Sequence, residues 1–379
     1  MSISGFATPE GTQRYQQRFE GKNIAGLPVA DGHFRTTADH LRLTSLGMGT
    51  YLGAVDEEAS QMMRDAAVRS VASGAINVLD AAINYRYQLS ERAIGAALKQ
   101  LQQQGIQRDE IFISSKNGFI APDAAMQAQG QDFKTWFQQR YMASGVVQPQ
   151  DIAGGMHCMA PGYLNDQLNL SLANLGIQTL DLMYLHNAAE SQLPEVGRVE
   201  FMRRLKLAFE FYESARADGR IRYYGLATWN CFRVNAEESD EYLSLEAVVH
   251  LAEAVGGPDH GFRFIQLPFN LAFTEALTLP SQPVADEFFS LLEAAMALEI
   301  GVFTSVPLLQ GQLLKESRLP QFEGLDAPSQ QCLQFVRSNP GVLAPLVGHK
   351  QPLHVEQNLK VVSIPPLALA DFETTLANN

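Results

Sequence analysis

The run AINVLDAAINYRYQLSERAIGAALKQL, residues 75–101, changes its hydrophobic period part-way along. Ala75 to Leu79 form a short, nearly continuous apolar stretch. Ile94, Ala97, Leu98 and Leu101 instead recur at intervals of three and four. A short apolar run followed by helical spacing reads as a buried strand, a loop and an amphipathic helix, the repeating unit of a parallel α/β protein. Working outward, seven more apolar runs fall near Leu43 to Leu46, Ile111 to Ser115, Leu180 to Leu185, Tyr223 to Ala227, Phe264 to Leu267, Val302 to Ser305 and Val342 to Val347. Helical spacing follows in Leu164, Leu168, Leu172 and Leu175, and again in Met202, Leu205, Phe209 and Tyr212, the last helix stopping at Gly219. Eight β/α units with no domain-sized linker predict a closed (β/α)8 barrel, a TIM barrel in the α/β class, rather than a doubly wound open sheet.

Composition narrows the class. The 379 residues are 46% hydrophobic and 18% charged, as in compact globular chains and unlike disordered ones. A net charge of -13 with no basic block argues against nucleic acid or an anionic lipid surface as partner. Three scattered cysteines, Cys158, Cys231 and Cys332, fit neither a disulfide framework nor a zinc cluster. With no apolar leader and no membrane-length apolar stretch, the expectation is a cytoplasmic protein. The predicted organisation is one barrel domain over 1–379. Residues 1–40 would form an N-terminal extension, 117–160 a long insert after the third strand, and 362–379 a C-terminal tail. The insert far exceeds a usual connection of ~2 to 6 residues, so a functional role is expected of it. Its Phe133, Trp136, Phe137 and Tyr141 suggest short helices over the barrel mouth.

Barrel chemistry sits at the C-terminal ends of the strands. Predicted strands two, three and four end in Asp80, Lys116 and His186, and Tyr85 follows Asp80 by five residues. An ammonium beside a phenol stabilises the phenolate, which predicts a Tyr85 pKa below its usual value of about 10, with a carboxylate fixing the ammonium. Tyr85 is then a candidate general acid, and His186 a hydrogen-bond partner for a substrate oxygen.

The string LDAAINYRYQLSERAIGAAL resembles the signature of the aldo-keto reductases, NAD(P)H-dependent (β/α)8 oxidoreductases, with Asp80, Tyr85, Ser90, Glu91 and Gly95 at the matching positions. The resemblance implies a catalytic tetrad of Asp80, Tyr85, Lys116 and His186. GMGTYL resembles the family's opening turn, Gln266 with Phe269 and Asn270 its sixth-strand element, VPLLQGQL its seventh-strand loop, and LVGHKQPLHVEQNL its adenosine-phosphate segment. It thereby implies cofactor contacts from Gly49, Thr50, Tyr51, Thr228, Gln266, Phe269, Leu308, Gly311, Gly348, His349, Lys350, His354, Gln357 and Asn358, with the nicotinamide near Gln266 and Phe269. The implied reaction reduces an aldehyde or ketone without a metal, using NADPH in preference to NADH. A regulatory cofactor sensor with little turnover is the alternative, and a lyase using Lys116 as a Schiff-base nucleophile a weaker one.

The chain also departs from the family pattern. Ala227 and Thr228 replace the usual Ser-Asn pair, which removes one expected cofactor hydrogen bond. Lys350 and His354 stand for the phosphate cations, and Gln357 for an acidic adenine contact. Phe119, His157, Asn187 and Trp229 are the pocket candidates, with Trp136, Phe137, Met159 and Phe273 as further apolar candidates. They suit a small-molecule carbonyl substrate of moderate size. His157 and Cys158 lack further metal-ligand spacing, so a rim role is expected for His157. Gly47 and Gly49 do not make a dinucleotide-binding glycine turn. Nothing in the sequence chooses an oligomeric state.

Overall fold

The computed structural model describes residues 2–368 except 22, 25–26 and 317, and also residues 371, 372 and 374. Of the predicted tail 362–379, residues 369–370, 373 and 375–379 lie outside the described residues. Eight parallel strands close a barrel: β1 (Gly47–Gly49), β2 (Val78–Asp80), β3 (Phe112–Asn117), β4 (Leu180–His186), β5 (Ile221–Ala227), β6 (Phe262–Pro268), β7 (Gly301–Ser305) and β8 (Ala344–Val347), with β8 pairing β1. Each is followed by a helix, α1 (Glu57–Ala72), α2 (Leu89–Gln103), α3 (Pro161–Leu175), α4 (Ala188–Ala217), α5 (Leu245–Gly256), α6 (Leu291–Ala297), α7 (Pro328–Ser338) and α8 (Pro352–Leu359). Gly197, at φ 72 and ψ 165, breaks α4 three residues after Pro194. The predicted TIM barrel is the fold.

Inward side chains of the strands fill the barrel. Val78, Phe112, Leu182, Tyr184, Phe264, Phe303, Ala344 and Leu346 pack as one cluster inside it. The predicted first strand requires correction. Arg42–Thr44 pairs antiparallel with Phe34–Thr36, and Leu41 and Leu43 join the barrel-interior cluster from that hairpin. The barrel strand is Gly47–Gly49 instead. A Cβ on Gly47 would lie 2.7 Å from Leu346, and one on Gly49 would lie 3.2 Å from the Leu346 carbonyl. Glycine is therefore what allows β8 to approach and close the sheet.

The insert after β3 also differs from expectation. It contains short helices Ala124–Ala128 and Phe133–Phe137, and a two-residue hairpin of Ile152–Ala153 against His157–Cys158. Four of its aromatics form a cluster of their own. Phe137 and Tyr141 pack with Ile120, Val147, Cys158 and Tyr163 in a satellite core on α3, and Phe133 and Trp136 lie against them. Tyr141 donates to Asp166 of α3 at 2.8 Å, which fastens the insert to that helix. Met159 belongs to the main core. No helix among the described residues is long and apolar enough to cross a membrane.

Candidate active site

Strand register brings the four predicted catalytic side chains together. Asp80 pairs with Ser114 across β2 and β3, Lys116 pairs with Tyr184, and His186 pairs with Ala227. The fully buried Lys116 ammonium donates to Asp80 Oδ2 at 2.5 Å and to the Ala81 carbonyl at 2.9 Å. Asp80 Oδ1 accepts from Ser114 Oγ at 2.7 Å and from Gln266 Nε2 at 3.0 Å. Thr50 Oγ1 donates to the Asp80 carbonyl at 2.9 Å. The aspartate is thus held by groups on β3 and β6 and by the residue that follows β1, and burial costs its carboxylate no unmade hydrogen bond.

Tyr85 lies above this pair. Lys116 Nζ is 4.7 Å from its ring centroid, and the His186 ring is 5.8 Å from it, edge-on. Arg86, Tyr87 and Gln88 then take φ of 50, 55 and 72, three successive left-handed residues that reverse the chain into α2. Arg86 anchors that turn, donating to the Ala54 and Asp56 carbonyls at 2.8 and 3.2 Å and to Ser60 Oγ at 2.9 Å. Tyr85 rather than Tyr87 therefore meets Lys116. The signature's Ser90 and Glu91 are positioning groups. Ser90 donates to the Thr50 carbonyl at 2.7 Å, and the buried Glu91 carboxylate accepts from Ser115 at 2.6 Å and Asn174 at 2.8 Å. Gly95 lets α2 and α3 touch, since a Cβ there would lie 2.6 Å from the Asn174 carbonyl.

Electrostatics correct one expectation. Burial, followed by the Asp80 carboxylate, holds the Tyr85 phenol well above its usual value rather than below it. Tyr85 is consequently a phenol, the proton-donating form, throughout the physiological range. Burial lowers the Lys116 pKa, and Asp80 opposes that shift. His186 is held well below 6.5 by burial, then by Lys116 and His157. It is a neutral ring at working pH.

Buried neutral histidines also carry a pH signature. Burial pushes both His157 and His349 down to about 4. In the unfolded chain each binds a proton below 6.5, whereas the native ring does not until about 4. Native stability is therefore complete above the unfolded value and falls as pH drops through that window. From about pH 7.5 to about pH 5 the expected loss is about 2 kcal/mol for each of the two. Urea unfolding across that range should show the midpoint falling, and an unchanged midpoint would contradict the assignment.

Strand parity sorts the predicted cofactor contacts. Gly49, Ala227 and Ser305 end their strands on the inward-facing parity, Gln266 shares the parity of Phe264 in β6, and Gly348 continues that of Leu346. Apart from Gln266, these residues carry small side chains or none. Ser305 escaped the sequence reading, although two-residue alternation from Phe303 points to it. Thr228, Phe269 and His349 lie just past the ends of β5, β6 and β8, and each is buried against the protein. The Thr228 hydroxyl, in a residue 5% exposed, turns to the Gln266 carbonyl at 3.4 Å. Phe269 is fully buried and stacks on Phe335 of α7 at 5.9 Å. His349 is clasped between Ser70 Oγ at 3.0 Å and Asn358 Nδ2 at 3.5 Å.

The remaining predicted contacts lie in the loops after β7 and β8 and in α8. Gly348 is exposed, and a Cβ there would meet nothing nearer than the Gly49 carbonyl at 3.9 Å. Lys350 is half-buried and His354 exposed, and Pro352 opens α8 with no side chain capping its first amides. Asn358 Oδ1 is buried with no hydrogen-bond partner, and Gln357 is half-buried beside it. Leu308 is half-buried, and Gly311 has a φ of 87. An uncapped helix start with a lysine, an open glycine and an unpartnered amide oxygen fits an elongated dinucleotide with anionic phosphates.

Several predicted pocket residues make aromatic contacts. Tyr51, 55% exposed, meets the Tyr85 ring at 5.0 Å. Phe119 packs edge-on against His186 at 5.0 Å and His157 at 5.3 Å. Trp229, 39% exposed, meets Phe273 at 6.3 Å. Asn187, half-buried at φ 46, follows His186. The sequence reading missed Glu190, whose Oε1 accepts from the amides of Trp229, Asn230 and Cys231 at 2.7, 2.7 and 3.1 Å and so fixes the loop after β5. Among the described residues, no three His, Cys, Asp or Glu side chains converge on a metal-sized site.

A model of the aldo/keto reductase family matches residues 45–250, which contain all four predicted catalytic residues. The chain belongs to the aldo/keto reductase family. Its fold is similar to that of an aldo-keto reductase from Bacillus halodurans in its holo form, with 17% identity, a TM-score of 0.60, and 91% of this chain and 95% of that one covered. An aldo-keto reductase from Klebsiella pneumoniae in complex with NADPH is 18% identical, with a TM-score of 0.57 over 90% and 94% of the two chains. The glycerol dehydrogenase of Gluconobacter oxydans is 16% identical, with a TM-score of 0.59 over 92% and 95%. No curated protein sequence matches the chain. This aldo/keto reductase thus shares an oxidoreductase fold with proteins from which its sequence has diverged widely.

Proposed function

We propose that the chain is an NADPH-dependent carbonyl reductase in which Tyr85 supplies the proton. The observation that carries this reading is the buried Lys116–Asp80 pair beneath Tyr85, with His186 beside it. When bound, the cofactor supplies a hydride to the carbonyl carbon. Every other part of the reaction falls to side chains. Tyr85 donates its proton to the carbonyl oxygen, giving the alcohol, and its high pKa keeps that proton available until the oxygen turns basic. Lys116 sits close enough to stabilise the phenolate that remains, and Asp80 fixes its ammonium. Neutral His186 donates a hydrogen bond to the same oxygen and orients it. Gly49, Ala227, Ser305 and Gly348 leave room for the nicotinamide, and Gln266 braces Asp80 at its edge.

The Klebsiella pneumoniae relative bound to NADPH supports the choice of cofactor. Among the described residues Lys350 enters no ion pair, which leaves its charge for the extra phosphate of NADPH. Fluorescence titration tests this half of the reading. NADPH is expected to bind more tightly than NADH, and the gap should shrink on adding salt. Equal binding of the two, or binding of neither, would overturn it.

A further inference from the structure

His186 ends β4 with a carbonyl that the barrel alone leaves unpaired. The next amide, that of Asn187, donates to Ala227 of β5 at 2.6 Å, so the His186 carbonyl faces β3. The last paired residue of β3 is Asn117, opposite Leu185, and Gly118 then turns away at φ 113. The insert fills the gap. Its short hairpin delivers His157, fully buried, whose Nε2 lies 2.8 Å from the His186 carbonyl.

A chain of hydrogen bonds fixes the direction of that contact. Arg204 of α4 can only donate, and it does so to Gln192 Oε1 at 2.9 Å. This orients the Gln192 amide, whose Nε2 then donates to His157 Nδ1 at 3.0 Å. With Nδ1 accepting, the ring proton sits on Nε2 and points at the His186 carbonyl. Phe119 stands edge-on to both imidazoles, so the two rings share one wall. Gly118 makes the approach possible, because a Cβ there would lie 2.7 Å from His157 Nε2.

We propose that His157 is a positioning residue, held as the Nε2–H tautomer by Gln192 and Arg204, that fixes the end of β4 and thereby the aim of the His186 imidazole. The long insert thus supplies the site with a supporting hydrogen bond. This proposal rests on the reductase reading for its effect on rate, but its structural half does not.

Two readouts test it. Long-range 15N–1H spectra of histidine-labelled protein should show His157 as Nε2–H, a mixture of tautomers in Gln192→Met, and a shifted His186 ring in His157→Ala. In kinetics with cofactor bound, His157→Ala should lower kcat roughly tenfold or more through misplacement of His186, with cofactor Kd unchanged. His157→Gln places an amide N–H where Nε2 was and should restore most of that rate. A His157→Ala variant that keeps both the wild-type rate and the His186 resonance would overturn the proposal. So would a His157→Gln variant as impaired as His157→Ala, or a wild-type His157 in the Nδ1–H form. If the wild type turns over no carbonyl, the reductase reading fails while the spectra still decide the positioning claim.

Discussion

Tyr85→Phe is expected to reduce carbonyl turnover by about 10²–10⁴-fold while leaving NADPH binding within about twofold of wild type. The variant removes one hydroxyl from a ring that meets Tyr51 and His186 through its faces and edges, so the packing survives. Because burial holds the phenol well above its usual pKa, the wild-type rate should stay level as pH rises through the neutral range. A side chain whose pKa was lowered towards neutrality would instead lose its proton, and activity with it, in that interval. Steady-state rates with titrated cofactor binding measure both quantities. Undiminished turnover in the variant would remove Tyr85 from the chemistry.

The second large effect concerns Lys116. Replacing it with methionine leaves the Asp80 carboxylate in the barrel without its charge partner, so a loss of about 3–5 kcal/mol in stability is expected. Turnover should also fall by about 10²-fold or more, since the phenolate left after proton transfer would face Asp80 without an ammonium beside it. The double variant Asp80→Asn with Lys116→Met separates structure from chemistry. It buries no net charge, and the amide oxygen introduced in place of the carboxylate can still accept from Ser114 or Gln266, so most of the stability should return. Turnover should not. If the double variant regained the wild-type rate, the pair would be a structural ion pair only.

Much of this was legible in the sequence because each signal was local. Strand runs alternate with helical spacing along the chain, and the five-residue interval from Asp80 to Tyr85 spans a single turn. The first strand was displaced because glycine carries no strand signal. Gly47 and Gly49 are placed by what Leu346 needs from them, and Leu346 lies near the other end of the chain. Thr228, Phe269 and His349 each follow the end of a strand, where two-residue alternation no longer says which way a side chain turns, and the structure buries all three. Glu190, Gln192 and Arg204 could not be found from spacing, since each acts through a partner on a different element. The expected direction of the Tyr85 shift was also wrong for a physical reason. The sequence shows that a lysine is near but not how strongly the surrounding protein and the Asp80 carboxylate disfavour the charged phenolate.

Whether this barrel reduces carbonyls is decided by a single-turnover reaction, in which protein loaded with NADPH is mixed with a neutral aldehyde and the reduced cofactor's absorbance is followed. The expected result is oxidation of the cofactor with one alcohol formed for each NADPH lost, and slowing of that step in Tyr85→Phe. Cofactor bound tightly but left reduced across a panel of aldehydes and ketones would contradict the reductase mechanism, and would make this barrel a cofactor-binding protein instead.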